Sequence, residues 1–344
     1  MNPRISRRKF LVRTGAVAYL GGQGAGWSPD LIAAPPLRAA TAGLPIASGQ
    51  VPPGATAAAA ALGGYKGRLC FFSKPLAEMQ WGQLAKNLKS VGFDGVDLTV
   101  RLEQGHVMPE RAQEDLPTAV AAFRAEGVEV PMITTSLTSA DDPTARPILS
   151  TAGKLGISYF KAGYYRYKLE DVEKELEDAG RQFRGLAELA RQCGIQVGYH
   201  NHEEYIGAPV WDMARVIEPL DPNWAGYYFD PRHAVAEGGA GAWKIATHLV
   251  ARRLKMVAVK DFYWGKTARK GWTDVNCPLG QGMVDWKYFF ATIARAGFQG
   301  PISLHLEYDI PGATREAKEE NTLASAKRDL EFLIARVREA YASA

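Results

Sequence analysis

The stretch Gly198-Tyr-His-Asn-His-Glu-Glu204 carries two histidines two residues apart. It follows Gln192-Cys-Gly-Ile-Gln-Val197, which reads as a helix end, a glycine stop and a short strand. Residues two apart on a strand share a face, so His200 and His202 project together while Tyr199 and Asn201 face the other way. Paired imidazoles at a strand end suit metal ligation or acid–base work. They can equally be two satisfied histidines in a polar loop, and the placement of the other reactive residues weighs between these readings.

Those residues fall at similar places. Asp97, Thr99 and Arg101 alternate with Val96, Leu98 and Val100, and His106 follows in the next loop. Thr134-Thr-Ser136 ends another apolar run. Lys161 is followed by Tyr164-Tyr-Arg-Tyr167, Asp230 by His233, and Lys260 by Asp261. Ser303, His305 and Glu307 share one face of a last strand. Of 6 histidines, only His248 lies on a predicted helix, and it is read as structural. A carboxylate such as Asp261 can simply cap the next helix. Arg101 and Lys161 can be ion pairs, and the Tyr164–Tyr167 run can be core or a stacking surface for sugar rings. Trp264 and Trp272 flank a long polar loop as lid, aromatic platform or packing. Asp230 and Glu307 resist a purely structural reading most, because a carboxylate buried without a positive partner is costly.

The elements that must position these groups are repetitive. An amphipathic helix, a glycine and a short apolar run recur as Leu88-Lys-Ser-Val-Gly92-Phe-Asp-Gly-Val-Asp-Leu98, around Gly127, Gly156 and Gly194, and as Ala294-Arg-Ala-Gly297-Phe-Gln-Gly-Pro-Ile302. Helix, glycine and strand in alternation predict a parallel sheet. Eight strands are expected near 69–73, 95–100, 129–134, 158–163, 196–200, 225–229, 255–260 and 302–306. This points to a single-domain α/β fold, a (β/α)8 TIM barrel, with the reactive residues at the C-terminal strand ends where such barrels place their sites. A doubly wound open sheet is the alternative, weakened by the lack of G-x-G-x-x-G after the first strand. A charged helix from about Arg315 to Tyr341 carries an apolar stripe (Leu323, Leu330, Leu333, Ile334) and is expected to close the barrel, with a homo-oligomer contact left open.

The chain has 344 residues, 47% hydrophobic and 23% charged, with a net charge of +4 to which the extreme N-terminus contributes several basic residues. Nothing in that balance argues for nucleic acid. Cys70, Cys193 and Cys277 show no C-x-x-C spacing and read as free thiols. Ser6-Arg-Arg-Lys-Phe-Leu11 fits a twin-arginine export pattern, and the apolar run after it is too short for a permanent membrane span. Residues 1–40 are therefore expected to be a signal region, 41–64 an Ala/Pro/Gly-rich linker and 65–344 the barrel, exported to the periplasm.

From Tyr65 to about Leu333 the chain resembles the xylose-isomerase-like TIM-barrel superfamily of sugar phosphate isomerases and epimerases, whose relatives include ketose 3-epimerases and inosose dehydratases. The carriers are Gly92-Phe-Asp-Gly-Val-Asp97, Tyr199-His-Asn-His202, Phe229-Asp-Pro-Arg-His233, Val259-Lys-Asp-Phe262, Pro278-Leu-Gly-Gln-Gly282, Val284-Asp-Trp286 and Gly300-Pro-Ile-Ser-Leu-His-Leu-Glu-Tyr308. The resemblance implies one divalent metal, often manganese, held by Glu, Asp, His and Glu at the ends of strands five to eight. Asp230 and Glu307 match, His200 falls on the first glutamate position, and Ala258 stands where the histidine is usual. His200, Asp230 and Glu307 are thus the expected ligands, of a type suited to manganese, zinc or iron.

The chemistry implied is proton abstraction beside a carbonyl of a carbohydrate substrate. Glu307, or an imidazole such as His200, would move the proton, and Lys260 would stabilise the enolate. His233 matches a substrate-contacting histidine of the family, and Arg101, His106, Lys161 and His202 are further candidates for the substrate or the remaining coordination. A sugar isomerase or epimerase is the first expectation. A keto-sugar or keto-glycoside lyase and a non-catalytic carbohydrate-binding barrel are the alternatives.

Overall fold

The computed structural model describes residues 62–268 and 271–344. The expected signal region and nearly all of the linker lie outside the described residues.

Eight parallel strands close into a barrel. They are β1 (Leu69–Phe72), β2 (Gly95–Val100), β3 (Glu129–Thr135), β4 (Tyr159–Lys161), β5 (Gln196–His200), β6 (Ala225–Phe229), β7 (Leu254–Val259) and, after a hairpin, β10 (Ile302–Leu304). The order around the barrel is β1-β10-β7-β6-β5-β4-β3-β2. The helices between them are α1 (Trp81–Val91), α2 (Ala112–Ala125), α3 (Ala145–Lys154), α4 (Val172–Cys193), α5 (Trp211–Ile217), α6 (Pro231–Val250), α7 (Trp286–Arg295) and α8 (Arg315–Ala342). The expected TIM barrel is the observed fold.

Glycine stops set the repeat. Gly92 (φ 113°) ends α1 and Gly194 (φ 71°) ends α4 in the left-handed conformation. A side chain is disfavoured there, and the turn feeds the chain directly into the next strand. On β2 the polar set Asp97 and Thr99 points into the barrel, while Val96, Leu98 and Val100 join the main core under the helices. The barrel floor is a separate apolar cluster of Met132, Tyr228, Met256 and Ala258. Ala258 therefore packs in the floor, and β7 contributes no ligand at that level.

Two expectations need correction. The fourth and eighth barrel strands are shorter than anticipated, Tyr159–Lys161 and Ile302–Leu304, because the chain leaves the ladder before the reactive loop residues. The polar segment after the seventh strand is not a bare loop. It pairs with itself as an antiparallel hairpin of β8 (Asp261–Thr267) and β9 (Gly271–Cys277). Aromatic and β-branched residues at Phe262, Tyr263, Trp264, Thr273 and Val275 favour that ribbon.

Candidate active site at the barrel mouth

Asp230 is the centre of the mouth. It ends β6 and caps α6, its Oδ1 accepting from the backbone N–H of Arg232 at 2.8 Å and of His233 at 3.4 Å. That leaves Oδ2 facing the site. His200 Nε2 lies 3.3 Å from it, Lys260 Nζ 3.5 Å and His233 Nε2 3.6 Å. Asn201, on the opposite face of β5 from His200, locks the aspartate's backbone, donating to its carbonyl at 2.9 Å and accepting from its N–H at 2.8 Å. One strand end thus supplies both a reactive side chain and the clip that fixes its neighbour.

Glu307 is held by two lysines. Lys260 Nζ is 2.5 Å from its Oε2 and Lys74 Nζ 2.9 Å from its Oε1. Burial raises the Glu307 pKa, but Lys260, His305 and Lys74 outweigh that and hold the carboxyl well below its ordinary value. Burial alone would lower the Lys260 pKa, and the carboxylates of Glu307 and Asp230 raise it instead. The ammonium of Lys260 therefore bridges the two carboxylates.

The histidines surround this pair as neutral rings. Desolvation, reinforced by nearby lysines, pushes His200 and His233 well below the usual imidazole range, and burial lowers His202. His200 Nδ1 is 2.8 Å from the Tyr164 hydroxyl, and its ring stacks on Tyr228 at 4.7 Å. His202 Nδ1 lies 2.9 Å from the Glu203 carbonyl, which can only accept, so Nδ1 carries the proton and Nε2 holds the lone pair. Its ring centroid is 4.0 Å from that of His233. His305 sits deeper, with Nε2 2.9 Å from the Tyr228 hydroxyl and its ring stacked on Phe72 at 4.1 Å. Asp97 beneath it accepts from Thr134, Ser303 and Tyr228 at 2.7, 2.9 and 3.2 Å, a satisfied interior carboxylate.

The substrate-binding candidates fall in different places. Lys161 Nζ sits 3.3 Å from the centroid of the Tyr164 ring, at the edge of the cluster. Arg101 lies over Phe72 at 5.7 Å and lines a cavity of about 570 Å³ with Glu103, Ser136 and Asp142, a space that His200 and Asp230 do not border. His106 is buried behind Thr99, its Nε2 unpartnered and its pKa pushed down to about 4 by desolvation. Asp261 does not cap the next helix, a place taken by Asp285; it ties the loop before that helix to the hairpin, accepting from the N–H of Phe262, Gly280 and Val284 and from the Trp286 indole.

His200, Asp230 and His233 could hold a metal ion, their ligand atoms lying within 4.8 Å of one another. Two imidazole nitrogens and a carboxylate oxygen suit a divalent ion, and His233 Nε2 is buried without a hydrogen-bond partner. The structure gathers His233 into this cluster and engages both oxygens of Glu307, the third ligand expected from the sequence, with lysines.

Sequence reasoning passed over several members of the mouth. Lys74 follows β1, and a search of every strand end would have reached it. Arg232 is buried between Glu203 and Asp274 and stacks 4.8 Å over Phe262. Nothing local in the sequence distinguishes it from a surface arginine. The hydroxyl contact from Tyr164 to His200 needs a fold-back of the β4 loop that spacing does not show.

Among solved structures, this chain resembles a xylose isomerase-like TIM barrel protein from Mycobacterium smegmatis in complex with magnesium (17% identity, TM-score 0.59, 80% of this chain and 97% of that one). It also resembles D-psicose 3-epimerase from Clostridium cellulolyticum H10 (12%, 0.57, 77% and 97%). A third is 3-keto-D-glucoside 4-epimerase from E. coli (14%, 0.56, 76% and 99%). No curated protein matches the chain significantly. The xylose isomerase-like TIM barrel family matches residues 85–335, and with the closed parallel barrel just described the chain belongs to that family.

Proposed function

We propose that this barrel is a sugar isomerase or epimerase that moves a proton on the carbon beside a carbonyl of a keto-sugar. One observation carries the reading: a neutral imidazole with a free lone pair, His202, shares the mouth with an ammonium, Lys260, fixed between two carboxylates. A base and a fixed cation are what enolisation needs. His202 Nε2 takes the proton, the electron pair moves onto the carbonyl oxygen, and Lys260 faces the developing charge. Return of that proton from His202 to the neighbouring carbon gives the isomer, and protonation of the opposite face of the enolate by a solvent water gives the epimer. Glu307 and Asp230 keep Lys260 protonated and in place. Tyr164 and Asp230 occupy both nitrogens of His200, so the proton-moving role sketched for His200 passes to His202.

His200, Asp230 and His233 are the residues that would hold a divalent ion, and manganese, zinc and iron all accept such a nitrogen and oxygen set. Bound there, the ion would act as a Lewis acid toward a substrate oxygen. Lys161, buried against Tyr164, is the candidate for a substrate hydroxyl, and Arg101 would serve only a substrate long enough to reach the neighbouring cavity. Export through a twin-arginine signal would present the site with unphosphorylated sugars.

Elimination from a keto-glycoside is the second reading. The assignment of one base, His202, favours it, because elimination needs one base and a separate acid rather than two matched groups. The test is incubation of ketoses and 3-keto-glucosides in D2O with NMR detection. Deuterium appearing beside the carbonyl supports the enolate, and an epimer or an unsaturated product separates the two reactions. His202→Asn is expected to slow exchange by about 10²-fold or more. Exchange that survives both His202→Asn and Glu307→Gln would sink the assignment, and no exchange on any keto-sugar would favour a binding barrel.

A further inference from the structure

The hairpin after β7 has one face that begins in the mouth and ends in solvent. Directly opposed residues of an antiparallel pair share a face, and faces alternate along the strand. Phe262–Asn276, Trp264–Asp274 and Lys266–Trp272 therefore lie on one side, and Tyr263–Val275 and Gly265–Thr273 on the other. Two residues advance about 6.8 Å along a strand, so the three pairs form a track leading outward in two such steps.

The inner end of the track is built into the site. Asn276 Nδ2 donates to the Glu307 carbonyl at 3.1 Å, and Arg232 Nε donates to Asn276 Oδ1 at 3.1 Å. Asp274 pairs with the Arg232 guanidinium, next to His233. Asn276 also lines a cavity of about 480 Å³ with Lys74 and Glu307. Trp264 rests edge-on against Phe262 at 6.1 Å. The hairpin is thus anchored at its base through side chains that touch the reactive residues.

The outer end shows what does not belong on a bare polar ribbon. Trp264 is 44% exposed and Trp272 68%. Two half- to mostly exposed indoles flank Lys266 on this face, so flat apolar surfaces stand next to a charged hydrogen-bond donor, while Asp274 is held inward by Arg232. A pyranose ring has that same pairing of a C–H face and a rim of hydroxyls. A broad apolar protein contact would need a patch without interleaved charges.

We infer that the Trp264 and Trp272 face is a subsite for the second sugar ring of a glycoside whose reacting ring sits in the mouth. This rests on the mouth being the sugar site proposed above, and it names the substrate class as glycosides rather than free monosaccharides. The reacting ring is held near Lys260 and His202, and the glycosidic oxygen points past Asn276 toward the indoles.

The test compares binding of glucose, cellobiose and maltose to the full chain by saturation-transfer NMR and calorimetry. It uses wild type, Trp272→Ala and the double variant Trp264→Ala/Trp272→Ala. At least one disaccharide is expected to bind about 10-fold more tightly than glucose. Saturation should reach the protons of both rings, and the preference should vanish in the double variant. Equal binding of the three sugars, no binding of either disaccharide, or a preference that survives the double substitution overturns the inference. So does a double variant that loses self-association while keeping the preference, which would assign the face to a second copy. The D2O exchange assay on wild type is independent of the tryptophans. Exchange without a disaccharide preference removes the subsite alone, and a tryptophan-dependent preference without exchange places the subsite on a binding barrel.

Discussion

Replacing Lys260 with methionine removes the charge that joins Asp230 to Glu307 while keeping most of the side-chain volume. Nζ stands 2.5 Å from Glu307 Oε2 and 3.5 Å from Asp230 Oδ2. With an effective dielectric constant of about 20, those separations correspond to attractions of about 5–7 kcal/mol each before desolvation. Desolvation of the buried ammonium offsets much of that, so the measurable quantity is the cost of leaving carboxylates uncompensated, about 3–5 kcal/mol. Lys74 still neutralises Glu307 in the variant, and the loss therefore falls mainly on Asp230. A divalent ion is the natural replacement. Urea unfolding should show Lys260→Met less stable by a few kcal/mol without added metal. Manganese or zinc at 100 times its dissociation constant should restore about 2.7 kcal/mol. Calorimetric titration should find the variant binding the ion at least about 10-fold more tightly than wild type, because a fixed positive charge no longer opposes it. A variant as stable as wild type, with unchanged ion affinity, would refute the view that Lys260 holds these carboxylates.

Three other outcomes follow from the same geometry. His106 has a folded pKa of about 4 against an ordinary 6.5. The unfolded chain therefore takes up this proton first as pH falls, and stability drops between pH 6.5 and 4 by about 3 kcal/mol. His106→Gln should flatten that part of the stability–pH curve, and an unchanged slope would contradict it. Gly198→Ala would place a Cβ against the Met256 side chain and 3.1 Å from Tyr228 Cβ. The methionine can yield and the strand residue cannot, so a loss of about 1–3 kcal/mol is expected in thermal unfolding. Tyr164→Phe leaves His200 Nδ1 buried without its 2.8 Å partner, costing about 1–3 kcal/mol. It should also weaken divalent-ion affinity about 10–100-fold, read by titration.

The barrel was legible because its cause is periodic. Helix, glycine and strand recur often enough that the eight strands can be placed from sequence, and the inward set on β2 follows from alternation alone. The mouth was legible only as a list of strand-end residues. His200, Asp230 and Lys260 were reachable from spacing, but their partners were not. Whether Glu307 meets a metal or a lysine depends on side chains from β1, β6, β7 and β10 converging across the barrel, distances that no one-dimensional pattern encodes. The hairpin was missed for a related reason. Its strands carry Trp, Lys, Thr and Asp rather than a clean apolar alternation, because one face serves the solvent and the other end serves the site.

The charge balance of the mouth explains why Lys260 and Ala258 belong together. Asp230 and Glu307 are matched by Lys260 and Lys74, and burial together with Lys260 lowers the pKa of the surrounding His200 and His233 imidazoles. Both of these carboxylates therefore already have a cation. A divalent ion entering among His200, Asp230 and His233 would add two positive charges to a balanced set, and Coulomb repulsion would push the Lys260 ammonium off Asp230 toward Glu307. Ala258 on β7 offers such an ion no ligand atom. With alanine packed there among Met132, Tyr228 and Met256, the floor is sealed by apolar contact and the lysine keeps its place. In the proposed reaction the same ammonium would face the enolate oxygen, with its charge fixed by two carboxylates beforehand.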